Sequence, residues 1–217
     1  MSKISLKKRA GAVVERLSKL YPDPVSALDF TTPWQLLVAT VLAAQCTDAR
    51  VNTVTPVLFE RWPDPEALAD ARTPDLEEVI HSTGFFRQKA KNLIASANRI
   101  THELGGELPR DMAGLTSLPG VARKTANIVL SNAFGIHEGI AVDTHVKRLS
   151  NRLGLTVSDN PIVIEKDLIP LVAQEHWGDF NHYLVLHGRN VCKARSPQCP
   201  DCVLDNICPK VGVSRQA

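Results

Sequence analysis

LPGVARKTANIVL, residues 118–130, joins a turn, a helix start and a lysine in one short stretch, an arrangement that core packing does not require. Pro119 and Gly120 suit the two central positions of a type II turn, because proline presets its backbone and glycine tolerates positive φ. Beyond the turn, Val121 to Leu130 is predicted to be helical, with Val121, Ile128 and Val129 apolar and Arg123, Lys124 and Asn127 polar. A tight turn feeding a helix N-terminus leaves N–H groups pointing outward, where they bind phosphate oxygens. Lys124 falls in the first helical turn. Acids are favoured there and a cation is slightly unfavourable, so the lysine asks for a reason other than stability. Taken alone, the stretch also fits an ordinary helical hairpin with a solvated lysine.

The surrounding chain reads as helical throughout. Residues 5–20 space Ala10, Val13, Val14, Leu17 and Leu20 at helical intervals, and Pro22 and Pro24 end the element. A cap residue followed by proline recurs at Thr32-Pro33, Asp64-Pro65, Thr73-Pro74 and Asn160-Pro161, each a predicted helix start. Gln35 extends the first of these into a capping box. Trp34 to Ala44 is apolar almost all round and is predicted to be buried. Gly84 closes one helix, Gly105 and Gly106 close the element containing residues 89–104, and Asp111 caps a short helix before the hairpin. With no apolar and polar alternation of strand period, the fold class is all-α.

The 217 residues suffice for one large domain or two small lobes, and 44% hydrophobic with 22% charged residues is a soluble globular composition. A net charge of +2 excludes neither a nucleic-acid partner nor a neutral one. Its distribution says more: from His187 onward Arg189, Lys193, Arg195, Lys210 and Arg215 face only Asp201 and Asp205. The basic N-terminus, MSKISLKKRAG, lacks the apolar core of a secretory signal, and no apolar run reaches membrane-spanning length. A soluble, cytoplasmic protein is expected, where thiols stay reduced and clustered cysteines point to metal.

Three further constellations carry chemistry-bearing residues. Gln45-Cys46-Thr47-Asp48 follows the buried helix directly and could be a plain helix end. In AVDTHVKRLSNRLG, residues 141–154, Asp143 or Thr144 could cap a helix containing Val146, Leu149 and Leu153. The third is Cys192-x6-Cys199-x2-Cys202-x5-Cys208, four thiols in so short a span that coordinated metal is the natural reading. Zinc usually takes two close pairs separated by a longer loop, whereas four cysteines strung along one irregular segment also suit a [4Fe-4S] cluster. Lys193 and Arg195 lie between the first two of them, where a braced loop could present cations to phosphates. Cys46 stands apart as a small, partly buried thiol.

LPGVARKTAN resembles the hairpin of the helix-hairpin-helix DNA glycosylases, departing from it at Ala122, where glycine is usual. LAAQCTD, VDTH and the cysteine run resemble further segments of the endonuclease III family, in that family's order along the chain. The resemblance implies a six-helix barrel lobe over residues 26–136, with the hairpin motif at about 112–131. It also implies a cluster lobe from residues 1–25 plus 137–217, with a [4Fe-4S] loop at 192–208. It assigns catalysis to Lys124 and Asp143, and DNA contacts to Gly120, Ala122, Arg123, Lys193 and Arg195. Gln45 would fill the gap left by a flipped nucleotide. Phe85, in STGFF, would be a second wedge, larger than the aliphatic residue usual there. Cys192, Cys199, Cys202 and Cys208 would hold the cluster.

The activity so implied is a bifunctional DNA glycosylase and abasic-site lyase of base excision repair. Its partner would be double-stranded DNA with an oxidised or ring-saturated pyrimidine or an abasic site, and the enzyme would be a nucleoid-associated monomer. A lysine amine suits that chemistry, since a hydroxyl or water could release a base but could not form an imine. Two other readings are a monofunctional mismatch glycosylase, against which Lys124 argues, and a noncatalytic DNA-binding module whose metal merely braces a basic loop.

Overall fold

The computed structural model describes residues 4–213, so Arg215 of the basic C-terminal segment lies outside the described residues. All regular elements among them are helical. The chain divides into two compact units, one formed by Ser26–Glu138 and the other by the flanking segments, up to Val25 and from Gly139 onward.

In the flanking unit, α1 (Leu6–Leu20) starts at Ser5, whose hydroxyl accepts from the Lys8 amide at 3.3 Å, and buries Ala10, Val13, Val14 and Leu17 on one face.

The central unit begins with α2 (Pro33–Leu42), capped by the Thr32 hydroxyl, which accepts from the Gln35 amide at 3.2 Å. The expected capping box is displaced by one residue. Gln35 Oε1 accepts from the amide and hydroxyl of Thr31, at 2.8 and 2.9 Å, because its long side chain reaches past the cap. The helix also stops at Leu42 rather than Ala44, since the chain turns left-handed at Gln45, with φ 56°. Then come α3 (Asp48–Arg61), capped by Thr47, α4 (Pro65–Ala69), capped by Asp64, and α5 (Thr73–Ile80). Thr73 is not the cap it was expected to be. The Arg72 carbonyl takes the first helical bonds, from the Asp75 and Leu76 amides at 3.0 and 3.2 Å, so Thr73 is already inside the helix. A 3₁₀ turn (His81–Thr83) leads to α6 (Phe86–Glu103), which closes with the Gly106 amide on the Ile100 carbonyl at 2.8 Å. The hairpin follows as α7 (Met112–Thr116), capped by Asp111, and α8 (Arg123–Phe134).

α2 buries eight of its ten residues, among them Leu36, Leu37 and Leu42 with no exposure. Each such leucine contributes about 1.5–3 kcal/mol on leaving water. α6 packs against α2, α4 and α5 and buries residues 89, 90, 93, 96, 97 and 100, one helical stripe.

The flanking unit resumes with α9 (Thr144–Arg152), α10 (Pro161–Leu168), capped by Asn160, a 3₁₀ turn (Gln174–His176) and α11 (Trp177–Asn190). Phe180 and Leu184 of α11 share a core with Val13, Leu17, Val146 and Leu149. Gly188 permits the close approach of α11 to α9, where a Cβ would stand 2.6 Å from His145 Nδ1. The last described residues, 191–213, are irregular. They are tied back to α1 by Arg16, whose Nη1 donates to the Val203 carbonyl at 2.7 Å. Among the described residues no helix is long and apolar enough to cross a membrane.

Candidate functional site

The hairpin is built as a turn whose glycine has no substitute. Gly120 holds φ 78°, and the Val121 amide donates to the Leu118 carbonyl at 3.1 Å, closing the reversal. Ala122 has φ −87°, a conformation alanine adopts without strain, so the missing glycine costs the backbone nothing. Val121 and Ala122 thus belong to the turn, and the helix starts two residues later than expected. α8 opens with no side-chain cap and no acid in its first turn, an N-terminus available to an anion. Lys124, its second residue, is exposed, as are Arg123, Ala122 and Gly120.

α6 holds this hairpin in place. The Ser96 hydroxyl donates to the Pro119 carbonyl at 3.0 Å, and Arg99 Nη1 donates to the Ser117 carbonyl at 2.7 Å. The same helix carries Lys89, 5% exposed, whose Nζ donates to the carbonyls of Leu42 and Thr83 at 2.7 and 2.8 Å. Burial holds its pKa below the ordinary lysine value, opposed in part by Cys46. None of these three was singled out from sequence. Lys89 and Ser96 nevertheless sit on the apolar register of α6, and a polar residue on a buried stripe is a signal that could have found them.

Gln45 and Phe85 follow the two carbonyls that Lys89 holds. Both are exposed, Phe85 by 65%, and both are left-handed, with φ 56° and 49°. With Lys210 they are the non-glycine residues of positive φ among those described. Backbone of this kind costs on the order of 1–3 kcal/mol and gathers at functional sites.

In the flanking unit Asp143 caps α9, its Oδ1 accepting from the amides of His145 and Val146, both at 2.8 Å. Both cap bonds fall on one oxygen, so the second takes no part in the cap. Burial lowers the pKa of neighbouring His145, opposed by the Asp143 carboxylate.

Cys192, Cys199, Cys202 and Cys208 line one cavity, together with Leu149, Leu153 and His187. Among the described residues no three His, Cys, Asp or Glu side chains converge as a single metal ion would require. Burial pushes the Cys202 thiol up to about 11 and raises Cys208 as well, with Cys192 and Cys199 adding to both. Donors nonetheless aim at the sulfurs: the Leu204 amide at Cys202 and the Lys210 amide at Cys208, each 3.4 Å, and Arg152 Nη1 at Cys192, 3.2 Å. A desolvated thiol set ringed by N–H donors is matched to thiolates neutralised by a metal-sulfur core, so the residues fit such a group. His187, 1% exposed and lowered to about 4 by burial, sits with Nε2 3.2 Å from the Cys202 sulfur. Arg152 also donates to the carbonyls of Lys193 and Ala194, both at 2.7 Å, and so fixes the loop on which Lys193 and Arg195 stand exposed.

Comparison with known proteins follows the same lines. The HhH-GPD superfamily of base excision DNA repair proteins matches over residues 38–174. Endonuclease III of Synechocystis is 55% identical over 97% of this chain and 96% of its own, that of Bacillus subtilis 43% over 90% and 89%, and that of Escherichia coli 38% over 90% and 92%. Among solved structures, a trapped endonuclease III–DNA covalent intermediate superposes with a TM-score of 0.89 and 41% identity, over 95% of this chain and 97% of that one. A thermostable thymine-DNA glycosylase shares the fold, with a TM-score of 0.81 at 22% identity, over 93% and 94% of the two chains. The chain belongs to the HhH-GPD superfamily of base excision DNA repair proteins and, within it, to the endonuclease III family.

Proposed function

We propose that this protein is a DNA glycosylase and abasic-site lyase acting on oxidised or ring-saturated pyrimidines in double-stranded DNA, with Lys124 as the nucleophile. The observation that carries the reading is an exposed lysine in the first turn of an uncapped helix directly after a tight glycine turn. Backbone N–H groups of Gly120, Ala122 and Arg123 receive a DNA phosphate, the Val121 N–H being held by the Leu118 carbonyl, and the amine stands beside them. An ammonium has no lone pair, so Lys124 first gives up a proton. Its nitrogen then bonds to the sugar C1′ while the glycosidic bond breaks, and the base departs with that electron pair and gains a proton. Loss of a second N–H proton and opening of the sugar ring, whose oxygen leaves C1′ and takes up a proton, give a protonated imine. Removal of a C2′ proton then expels the 3′ phosphate and nicks the strand.

Asp143 stabilises the positive charge that develops on the sugar as the base leaves, and helps move protons. A carboxylate near an amine favours the ammonium, so its part is not to activate Lys124. Gln45 and Phe85 occupy and wedge the helix around the extruded nucleotide, and an exposed aromatic ring on a strained turn is suited to unstacking bases. Lys193 and Arg195 contact phosphates.

Cys192, Cys199, Cys202 and Cys208 hold a [4Fe-4S] cluster, which when bound cross-links the irregular C-terminal segment. On this reading residues 26–136 form a six-helix barrel lobe and the remainder a cluster lobe. The protein works as a soluble monomer at the nucleoid.

Borohydride reduction on a duplex with one abasic site tests the reading. The native protein should give a covalent protein–DNA adduct, and Lys124→Ala should give none while losing at least about a hundredfold in nicking. Undiminished nicking by Lys124→Ala would overturn it.

A further inference from the structure

We propose that Lys89 is a positioning residue that sets the relative register of the Gln45 and Phe85 loops, and thereby the engagement of duplex DNA around the lesion. The inference rests on the wedge roles given to Gln45 and Phe85 above and adds the device that makes them act together.

Leu42 is the last residue of α2 and Thr83 the last of the 3₁₀ turn. Their carbonyls are helix-end acceptors with no partner further along their own helices, and both carry the partial negative charge of a C-terminus. A single ammonium, 5% exposed, satisfies the two at once. Leu42 lies 47 residues away from Lys89 in sequence and Thr83 only six, so the cation joins segments that the chain itself leaves independent. Gln45 follows the first carbonyl by one turn and Phe85 follows the second by two residues. Each carries a left-handed backbone that a loose loop would relax. The Lys89 amide also donates to the Phe85 carbonyl at 3.1 Å, so both ends of this residue act on the Phe85 turn.

Burying an ammonium is costly, and a hydrophobic residue of similar volume on the α6 stripe would serve the core as well or better. What methionine could not do is hold two carbonyls from two loops at a fixed separation. The charge is therefore matched to loop geometry rather than to packing.

The experiment uses the full chain carrying Lys89→Met, compared with the native protein and with Gln45→Ala and Phe85→Ala. A duplex with 2-aminopurine opposite a stable abasic analogue reports wedge insertion as a rise in fluorescence on binding. Lys89→Met should lose more than about half of that rise and about tenfold or more in lesion-duplex kcat/KM, the scale that small misplacements of positioning groups produce. Borohydride trapping on single-stranded abasic DNA, which needs no wedge, should stay within about twofold of native. In the Lys89→Met background, Phe85→Ala should cost little more, because the wedge is already misplaced.

Lys89→Gln retains a donor for one carbonyl. It should show a smaller loss of the same kind, and it supplies the test if the methionine variant does not fold. Native fluorescence and duplex kinetics in either variant, with Gln45→Ala and Phe85→Ala impaired, would overturn the role of Lys89 alone. Full fluorescence in Gln45→Ala and Phe85→Ala as well would instead remove the wedge reading beneath it.

Discussion

A Cβ on Gly120 would run into the side chain of Asn92, because α6 passes directly behind the hairpin turn, and Gly120 itself holds φ 78°. The turn is glycine for two separable reasons, conformation and space. Gly120→Ala should therefore cost about 1–3 kcal/mol in backbone strain, with the collision in addition. Thermal denaturation should show a melting point several degrees lower, and Asn92→Ala in the same chain should restore only the part due to crowding. A Gly120→Ala protein that melts like the native one would contradict the turn as described.

Asp143 caps α9 and is proposed to stabilise charge on the sugar, two roles that substitution can separate. Asp143→Asn keeps an oxygen that can accept from the His145 and Val146 amides but removes the charge. Its melting point should stay near native, while single-turnover base release at saturating DNA falls about a hundredfold or more. Asp143→Ala should lose the cap as well, about 0.5–2 kcal/mol of stability. Base release at the native rate in Asp143→Asn would remove the electrostatic role.

The cysteine cavity makes a metal-specific prediction. Purified protein should contain iron and inorganic sulfide and show a broad visible absorption band, and Cys202→Ser should lose both together with stability. Burial pushes the Cys202 thiol up to about 11, so a thiolate there would need the positive charge that the proposed metal core supplies. Stoichiometric zinc with no iron would reject the cluster while leaving the four-cysteine site.

Stability should fall on the acid side of neutrality. Burial lowers His182 below the ordinary histidine value of 6.5, against an opposing pull from Asp179, and lowers His145 similarly. Above 6.5 both are neutral whether folded or not. As pH drops through 6.5 the unfolded chain takes up protons before the folded one, so stability declines until the folded pKa values are reached. Melting curves from pH 7.5 to 5 should show this decline, and His182→Gln should lessen it, leaving the share due to His145 and to His187, which burial lowers to about 4. An unchanged slope in that variant would assign the acid sensitivity elsewhere.

What was legible in sequence follows interactions that are short along the chain. Thr32, Asp64, Asp111 and Asn160 cap helices because a side-chain oxygen meets an amide two or three residues on, and such spacing is written in the residue order. The same local logic failed by one residue at Thr73, where the Arg72 carbonyl, rather than a side chain, decided where the helix began. The Pro119-Gly120 turn was equally readable, since proline and glycine restrict the backbone wherever they stand.

The chain by itself thus determined an all-helical protein, its turn chemistry and the cysteine spacing, all consequences of neighbours in sequence. Only the tertiary structure decided that α6 carries Lys89 to the Leu42 carbonyl and Arg99 to the Ser117 carbonyl, and that α9 brings Arg152 to the Cys192 sulfur. Those bonds join residues 47, 18 and 40 positions apart. No local spacing encodes them, because they form only after the helices have packed and left each polar group without water.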